Sequence, residues 1–314
     1  MRNFTFKGFN LFKLSFLILL FFITTQTRAQ FPYSQSFKNS TAPGVLFGGE
    51  PQAFLTGGAG LKDGYNDANG SGYLRLTNKQ GSQKGIVYSD MYSFPSAYGM
   101  TISFEYYTHG GNGADGIAFI LFDATASPVA AGAFGGSLGY AQRNTETGFS
   151  KGYLGIGIDE YGNFSANNEG KSGGAPGGVL PSNVTLRGAG TGTSGYPHLI
   201  SVQTTALASS FSVAGGDRGA TDNSKTGFRK MEVVLKPRSG GGFFIDVYLT
   251  HGSIRELIIN NYEYKITAPS NLKFAISSST GGSNNFHEIR NLNITVDKST
   301  LLTPAANADT FTGC

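Results

Sequence analysis

Short apolar runs with a period of two recur along this chain, and glycine or polar residues close each of them. Residues 152–158 show the pattern, and it returns in 231–235, 243–249 and 272–276. Side chains of a β-strand point alternately to its two faces, so this period indicates strands with one buried face. No long stretch shows the period of an amphipathic helix. We therefore predict an all-β fold.

Glycine supports the same prediction. The 314 residues include 46 Gly, about twice the usual share, with no collagen period. Glycine turns separate the predicted strands, and 239–242 joins two of them into a hairpin. The continuous apolar run 117–122 predicts a fully buried strand, and 169–196 predicts a long loop with one strand at 184–186. Many short strands with glycine turns are typical of a β-sandwich of two antiparallel sheets.

The two ends of the chain predict a secreted protein. Basic residues precede the apolar run 14–23, and Thr27-Arg28-Ala29 follows it, so we expect a signal peptide at residues 1–29. The domain would occupy 30–298, without a membrane span. Residues 299–314 are small and polar, as in a linker or a truncated tail. We expect the mature protein to be secreted or at the cell surface.

Charge argues against one class of partner. The formal net charge is +4, and the sequence has no basic run or basic helix. Nucleic acid is therefore not the partner that this sequence predicts. The oligomeric state is left open by the sequence.

A polar segment follows the strand at 152–158. Asp159, Tyr161 and Asn163 lie two residues apart, so on an extended backbone they project to one side. A carboxylate, a backbone carbonyl and an amide oxygen are ligands that Ca²⁺ takes. Asp, Gly and Asn are also ordinary turn residues, so this segment alone predicts a metal loop or a polar turn.

Four stretches together resemble one family. They are Gly113-Ala-Asp115-Gly, Gly135-Gly136-Ser-Leu-Gly, Ile158-Asp159-Glu-Tyr161-Gly-Asn163, and Ser277-Ser-Ser-Thr-Gly281 followed by His287-Glu-Ile289. In this order they resemble loops and core strands of the L-type lectins, the legume lectins and their bacterial relatives. The resemblance spans most of residues 31–298 and implies a concanavalin A-like jelly roll.

The resemblance implies a carbohydrate site formed by Asp115, Gly135, Gly136, Tyr161 and Asn163. Sugars present hydroxyl groups and an apolar face, so a site for them needs acceptors, donors and an aromatic ring. The family pattern assigns hydroxyl acceptance to Asp115 and a backbone N–H donor to the glycine loop. It also implies a cis bond between Ala114 and Asp115. The expected partner is therefore a glycan.

The resemblance further implies calcium, bound by Asp159, Tyr161, Asn163 and Asn167. Calcium would order the loop that presents Tyr161 and Asn163 to the sugar. The family's second, transition metal is not expected, because Gly157 stands where the family has its metal-binding glutamate. His198 then has no partner ligand in the pattern.

Three function classes remain open, with a non-enzymatic carbohydrate-binding module first. A structural or adhesive surface module with a degenerate site is the alternative. A glycoside hydrolase of the same fold is third, because related hydrolases carry a Glu-x-Asp-x-x-Glu strand. Gly157 and Gly162 replace both glutamates here. Asp159 and Glu160 are adjacent, so on a strand they point to opposite faces and cannot act as an acid pair.

Overall fold

A computed structural model describes residues 32–297, and the predicted signal peptide (1–29) and tail (299–314) lie outside these residues. Twenty strands are present: β1 Tyr33–Gln35, β2 Val45–Glu50, β3 Phe54–Leu55, β4 Leu61–Lys62, β5 Tyr65–Asn66, β6 Leu74–Thr77, β7 Lys84–Ser89, β8 Phe94–Pro95, β9 Gly99–His109, β10 Gly116–Asp123, β11 Gly152–Asp159, β12 Asn183–Arg187, β13 Gly190–Thr191, β14 Ser194–Gly195, β15 His198–Gln203, β16 Arg229–Pro237, β17 Phe243–His251, β18 Ile254–Tyr264, β19 Asn271–Ser279 and β20 Phe286–Asp297. Two short 3-10 turns, Gly135–Ser137 and Thr204–Ala206, are the helical elements of this range. Neither is long or apolar enough to cross a bilayer.

The strands form two large antiparallel sheets, which confirms the predicted jelly-roll β-sandwich. Sheet A has the order β18-β17-β16-β9-β20-β6-β3, with β1 beside β20. Sheet B has the order β14-β13-β11-β10-β19-β7-β2, with β12 and β15 continuing from β11 and β8 beside β19. Strands β4 and β5 form a separate small hairpin.

Two hydrophobic cores lie on opposite faces of sheet B. Strand β10 shows this most simply, because Ile117, Phe119 and Leu121 belong to the larger core with side chains of sheet A. Ile120 and Phe122 belong to a second core with side chains of the loops that cover sheet B. The predicted fully buried strand is thereby confirmed, and its uninterrupted apolar run has a physical reason.

The glycines of β11 make room for the second core. A Cβ atom at Gly155 would lie 2.3 Å from Cδ1 of Tyr140, and one at Gly157 would lie 2.5 Å from Cδ1 of Phe164. Both distances are well inside van der Waals contact, so larger residues would displace these rings. The alternation of glycine with leucine and isoleucine in this strand is therefore set by rings that pack flat on the sheet.

Strand predictions that rest on an unbroken pattern hold in the structure. The hairpin of β16 and β17 and the strand at 184–186 are confirmed. Strand β18 was not predicted, because it is an edge strand whose pairing with β17 contains register shifts, and these break the period of two. The 169–196 segment also contains the short hairpin β13–β14, which carries no apolar pattern.

A buried charge cluster lies on the face of sheet A opposite the large core. Glu288 accepts hydrogen bonds from Arg75 Nε at 2.7 Å and Arg218 Nε at 2.7 Å, and it also contacts His109. Burial acts to raise the pKa of Glu288. The hydrogen bonds from His109 and Arg218 and the charges of Arg75 and Arg218 outweigh burial and lower this pKa to about 2. The ion pairs of this cluster therefore link β6, β20 and the loop that carries Arg218.

Candidate functional site

Three neighbouring strands of sheet B bring three loops to one edge. Gly116 at the start of β10 pairs with Asp159 at the end of β11 and with Ser279 at the end of β19. Antiparallel neighbours place the start of one strand beside the ends of the next. Asp115, the loop of residues 160–173 and the turn at 281–284 therefore meet at this edge.

Serine side chains of β19 hold a fourth element against the same edge. Ser277 Oγ donates to the carbonyl of Leu138 at 2.6 Å, and Ser279 Oγ donates to the carbonyl of Gly135 at 2.6 Å. Ser278 Oγ donates to the carbonyl of Gly116 at 2.8 Å, on the other face of the strand. The hydroxyls thus fix the glycine loop at 135–139 and the start of β10 relative to one strand.

These loops enclose a pocket of about 240 Å³. Its walls contain all five residues expected at the carbohydrate site: Asp115, Gly135, Gly136, Tyr161 and Asn163. They also contain residues that were not predicted as site residues: Arg143, Glu169, Gly281, Gly282 and Ser283. The structure therefore brings the predicted set together from three separate loops, and it adds a charged wall and a second glycine turn.

Asp115 provides a buried carboxylate in the pocket wall. The residue is 4% exposed, and its Oδ2 atom is buried without a hydrogen-bond partner. Burial, and then the negative charge of Asp159 and Glu169, raise the pKa of Asp115 to about 7. The Ala114–Asp115 bond is cis, as the resemblance implies. A buried carboxylate oxygen without a donor is costly, and a hydroxyl group from a ligand would satisfy it.

Tyr161 and Asn163 offer an exposed ring and an oriented amide. Tyr161 is 45% exposed, which leaves much of its ring available to the apolar face of a ligand. Asn163 Oδ1 accepts a hydrogen bond from Asn168 Nδ2 at 2.7 Å, so the orientation of this amide is fixed from within the loop. A Cβ atom at Gly136 would lie 2.1 Å from Cβ of Asn163, and this contact requires glycine.

Arg143 and Glu169 form the charged wall. Arg143 Nε donates to Glu169 Oε1 at 2.9 Å, and the guanidinium carbon lies 4.6 Å from the centroid of the Phe134 ring. Glu169 Oε2 accepts from Lys171 Nζ at 2.8 Å. Both wall residues lie in irregular segments without periodicity, so only their charge could have indicated them.

Two of the four residues expected to hold calcium, Asp159 and Asn163, have side-chain oxygens that already accept hydrogen bonds. Asp159 is fully buried, and its carboxylate accepts from the backbone N–H groups of Gly162, Phe164 and Ser165 and from Asn183 Nδ2. Asn163 Oδ1 is taken by Asn168, and Asn167 is exposed outside the pocket walls. Within residues 32–297 no three His, Cys, Asp or Glu side chains form a metal-binding group. Because a Ca²⁺ ion needs several free oxygens, this donor set does not fit one.

The position of the family's second metal is filled by packing. A side chain at Gly157 would collide with the Phe164 ring, so a glutamate does not fit there. His198 Nε2 lies 2.8 Å from Ser201 Oγ, within the strand β15 that carries both. His198 therefore has a structural hydrogen bond in this fold.

Asp159 and Glu160 point to opposite faces, as the sequence predicts. Glu160 points away from the pocket, where its Oε1 lies 2.9 Å from His287 Nε2 and its Oε2 accepts from Asn285 Nδ2 at 2.7 Å. Asp159 instead holds the backbone of the 160–173 loop. The two carboxylates do not flank a common space, so they do not form the acid pair of a glycoside hydrolase.

This architecture is the fold of the L-type lectins. No protein-family model matches the chain. No curated protein matches it either.

Several solved lectin structures match over most of their length. The seed lectin of Lotus tetragonolobus superposes with a TM-score of 0.56 at 14% identity, covering 85% of this chain and 98% of the lectin. Peanut lectin gives 0.52 at 20% identity, covering 85% and 97%. The exoplasmic/lumenal domain of VIP36, solved with Ca²⁺ and Man2 bound, gives 0.53 at 17% identity, covering 89% and 91%. These similarities show a lectin fold.

Proposed function

We propose that this protein is a non-enzymatic, secreted carbohydrate-binding module that binds one sugar unit of a glycan in the pocket around Asp115. The observation that carries the proposal is Asp115, a residue of the pocket wall whose buried Oδ2 atom lacks a hydrogen-bond donor. A sugar hydroxyl supplies such a donor, and an ionised acceptor makes this hydrogen bond about twice as strong as a neutral one.

The remaining walls supply the other contacts that a sugar needs. The exposed ring of Tyr161 packs on an apolar sugar face, and Nδ2 of Asn163 donates to a sugar hydroxyl. The backbone of Gly136 approaches the ligand closely because no side chain intervenes. Arg143 and Glu169 hydrogen-bond to hydroxyl groups at the rim, and their mutual bond keeps both side chains ordered.

Calcium is left out of this binding scheme, although three of the similar VIP36 structures are described with both Ca²⁺ and a Man-containing ligand. In this chain the carboxylate of Asp159 and the amide oxygen of Asn163 are occupied by N–H donors. Secretion is proposed from the signal-like sequence at residues 1–29. A secreted module would encounter glycans outside the cell.

A glycan array probed with the purified mature protein tests the proposal. Wild type is compared with Asp115→Ala, and Asp90→Ala serves as the control because Asp90 is exposed and far along the chain from every pocket wall. We expect defined glycans to bind wild type and the control, and Asp115→Ala to lose them while remaining folded by circular dichroism. If wild type is folded and binds no glycan, the proposal fails and an adhesive role is favoured. Release of reducing sugar from polysaccharide would instead indicate a hydrolase.

A further inference from the structure

We propose that two buried cations of the chain itself, Lys171 and Arg187, order the 160–173 loop in place of a metal ion, so that the pocket is metal-independent. The order of the loop is carried by contacts within the protein. The extension to sugar affinity rests on the proposed function.

Arg187 donates hydrogen bonds to backbone carbonyls of the 160–173 loop. Its Nε donates to the carbonyl of Phe164 at 2.7 Å, and its Nη2 donates to the carbonyls of Ala166 at 2.6 Å and Gly173 at 3.3 Å. Its Nη1 donates to the carbonyl of Ser172 at 3.0 Å. Carbonyl oxygens converging on one positive centre are the arrangement by which a loop binds Ca²⁺, and here the centre is a guanidinium with no exposed surface.

Lys171 acts on the pocket side of the same loop. Its side chain is fully buried, and Nζ lies 2.8 Å from Glu169 Oε2 and 3.2 Å from Asn168 Oδ1. Asn168 in turn orients Asn163, since its Nδ2 donates to Asn163 Oδ1 at 2.7 Å. A chain of hydrogen bonds therefore links the buried ammonium to an amide that lines the pocket.

The same ammonium also positions the charged wall. Glu169 bridges Lys171 and Arg143, with distances of 2.8 Å to Nζ and 2.9 Å to Nε. Removing the positive charge of Lys171 would leave Glu169 with one partner and release Asn168. Lys171 is thus a positioning residue for two pocket walls that it does not itself line.

Charge balance explains why a metal ion is not needed as well. Burial lowers the pKa of both Lys171 and Arg187, and the carboxylate of Asp159 opposes this shift by favouring their charged forms. A divalent cation placed beside Asp159 would repel these two buried cations, because the interior screens weakly. It would also have to displace four N–H donors from Asp159.

Thermal unfolding in chelator and in millimolar calcium tests the inference without a glycan. We expect the melting temperature of wild type to agree within about 1 °C between the two conditions, since a ligand that does not bind the native state does not stabilise it. Lys171→Met should lower it by roughly 5–10 °C in both, because it leaves the half-buried carboxylate of Glu169 short of a partner. Lys265→Met is the matched control, since Lys265 is 70% exposed.

Hydrogen exchange locates the effect. Amides of residues 160–173 should exchange faster in Lys171→Met than in the control, while the central strands keep their protection. If Lys171→Met does not fold, Lys171→Arg should fold with near wild-type stability, because it keeps the charge. A rise of several degrees in the melting temperature of wild type with calcium would overturn the inference. So would a Lys171→Met protein indistinguishable from Lys265→Met. Neither result depends on whether a glycan binds.

Discussion

Replacing Asp115 with asparagine should stabilise the unliganded protein at pH 8 and weaken its sugar affinity. Asparagine has nearly the shape of aspartate but carries no charge. In the folded protein this position is buried, close to Asp159 and Glu169, and one carboxylate oxygen has no donor. The wild-type residue is therefore kept at a cost in stability.

The size of the effect follows from the pKa of Asp115, which burial and the neighbouring carboxylates raise from 3.8 to about 7. Between these values the folded state binds more protons than the unfolded state, so stability falls as pH rises from about 4 to about 7. At about 1.4 kcal/mol per pH unit, the loss above pH 7 is at most about 4 kcal/mol. Asparagine retains part of the desolvation cost, so we expect Asp115→Asn to gain about 1–3 kcal/mol at pH 8.

Urea unfolding at pH 5 and pH 8 measures this gain. Asp115→Asn should exceed wild type in unfolding free energy at pH 8, with a smaller difference at pH 5, where wild-type Asp115 is mostly protonated. Asp90→Asn, which changes an exposed carboxylate, should show neither effect. A variant less stable than wild type at pH 8, or a difference independent of pH, would refute the reasoning.

Asp115→Asn should weaken glycan binding, although it raises the stability of the unliganded protein. Loss of a charge-assisted hydrogen bond costs about 1.5–3 kcal/mol, which corresponds to a loss of affinity of about 10- to 150-fold. Because a hydroxyl donates to the ionised carboxylate, wild-type affinity for an array-identified glycan should rise between pH 5 and pH 8. The Asp115→Asn affinity should be flat over this range by calorimetry.

Three further changes test other parts of the structure. Tyr161→Ala should leave the melting temperature nearly unchanged, because the ring is 45% exposed, and should weaken glycan binding by about tenfold in titration. Gly136→Ala should abolish detectable binding on the array while circular dichroism stays native, since its Cβ would displace Asn163; retained affinity would mean that this contact is not needed. Glu288→Gln should lower the unfolding free energy at pH 7 by about 3 kcal/mol, because the pKa of Glu288 is depressed to about 2 and the stability it provides above pH 4.5 is lost as pH falls towards 2. Urea unfolding of both proteins at several pH values checks this, because the unfolding free energy of wild type should fall more steeply towards low pH than that of Glu288→Gln.

The sequence predicted strands β16 and β17 because burial of one face gives a period of two. Apolar residues recur at every second position in 231–235 and 243–249, and the structure forms that hairpin. Strand β18 escaped because bulges opposite Ile245 and Val247 interrupt its alternation. An edge strand can tolerate such irregularity, since only one neighbour constrains its register.

The pocket was predictable only as far as the resemblance reached. Asp115, Gly136 and Asn163 lie in short motifs that resemble those of the L-type lectins, and the structure places them together. Lys171 lies among glycine, serine and asparagine, and Arg143 lies between glutamine and asparagine. No periodicity in either segment indicates which charges are buried. Their roles depend on contacts with Glu169, and such contacts are created by the fold.

Strand β19 holds one loop of the pocket in place, whereas the turn that follows this strand is free to carry other side chains. Ser277 and Ser279 bind the glycine loop. A Cβ atom added at Gly282, in the turn that follows this strand, would meet no other atom within 4 Å. A side chain introduced there would extend into open space at the pocket rim without disturbing the anchored loops. Saturation mutagenesis at Gly282 is therefore a route to new sugar preferences on an unchanged scaffold, and relatives that differ in specificity would be expected to differ first in this turn.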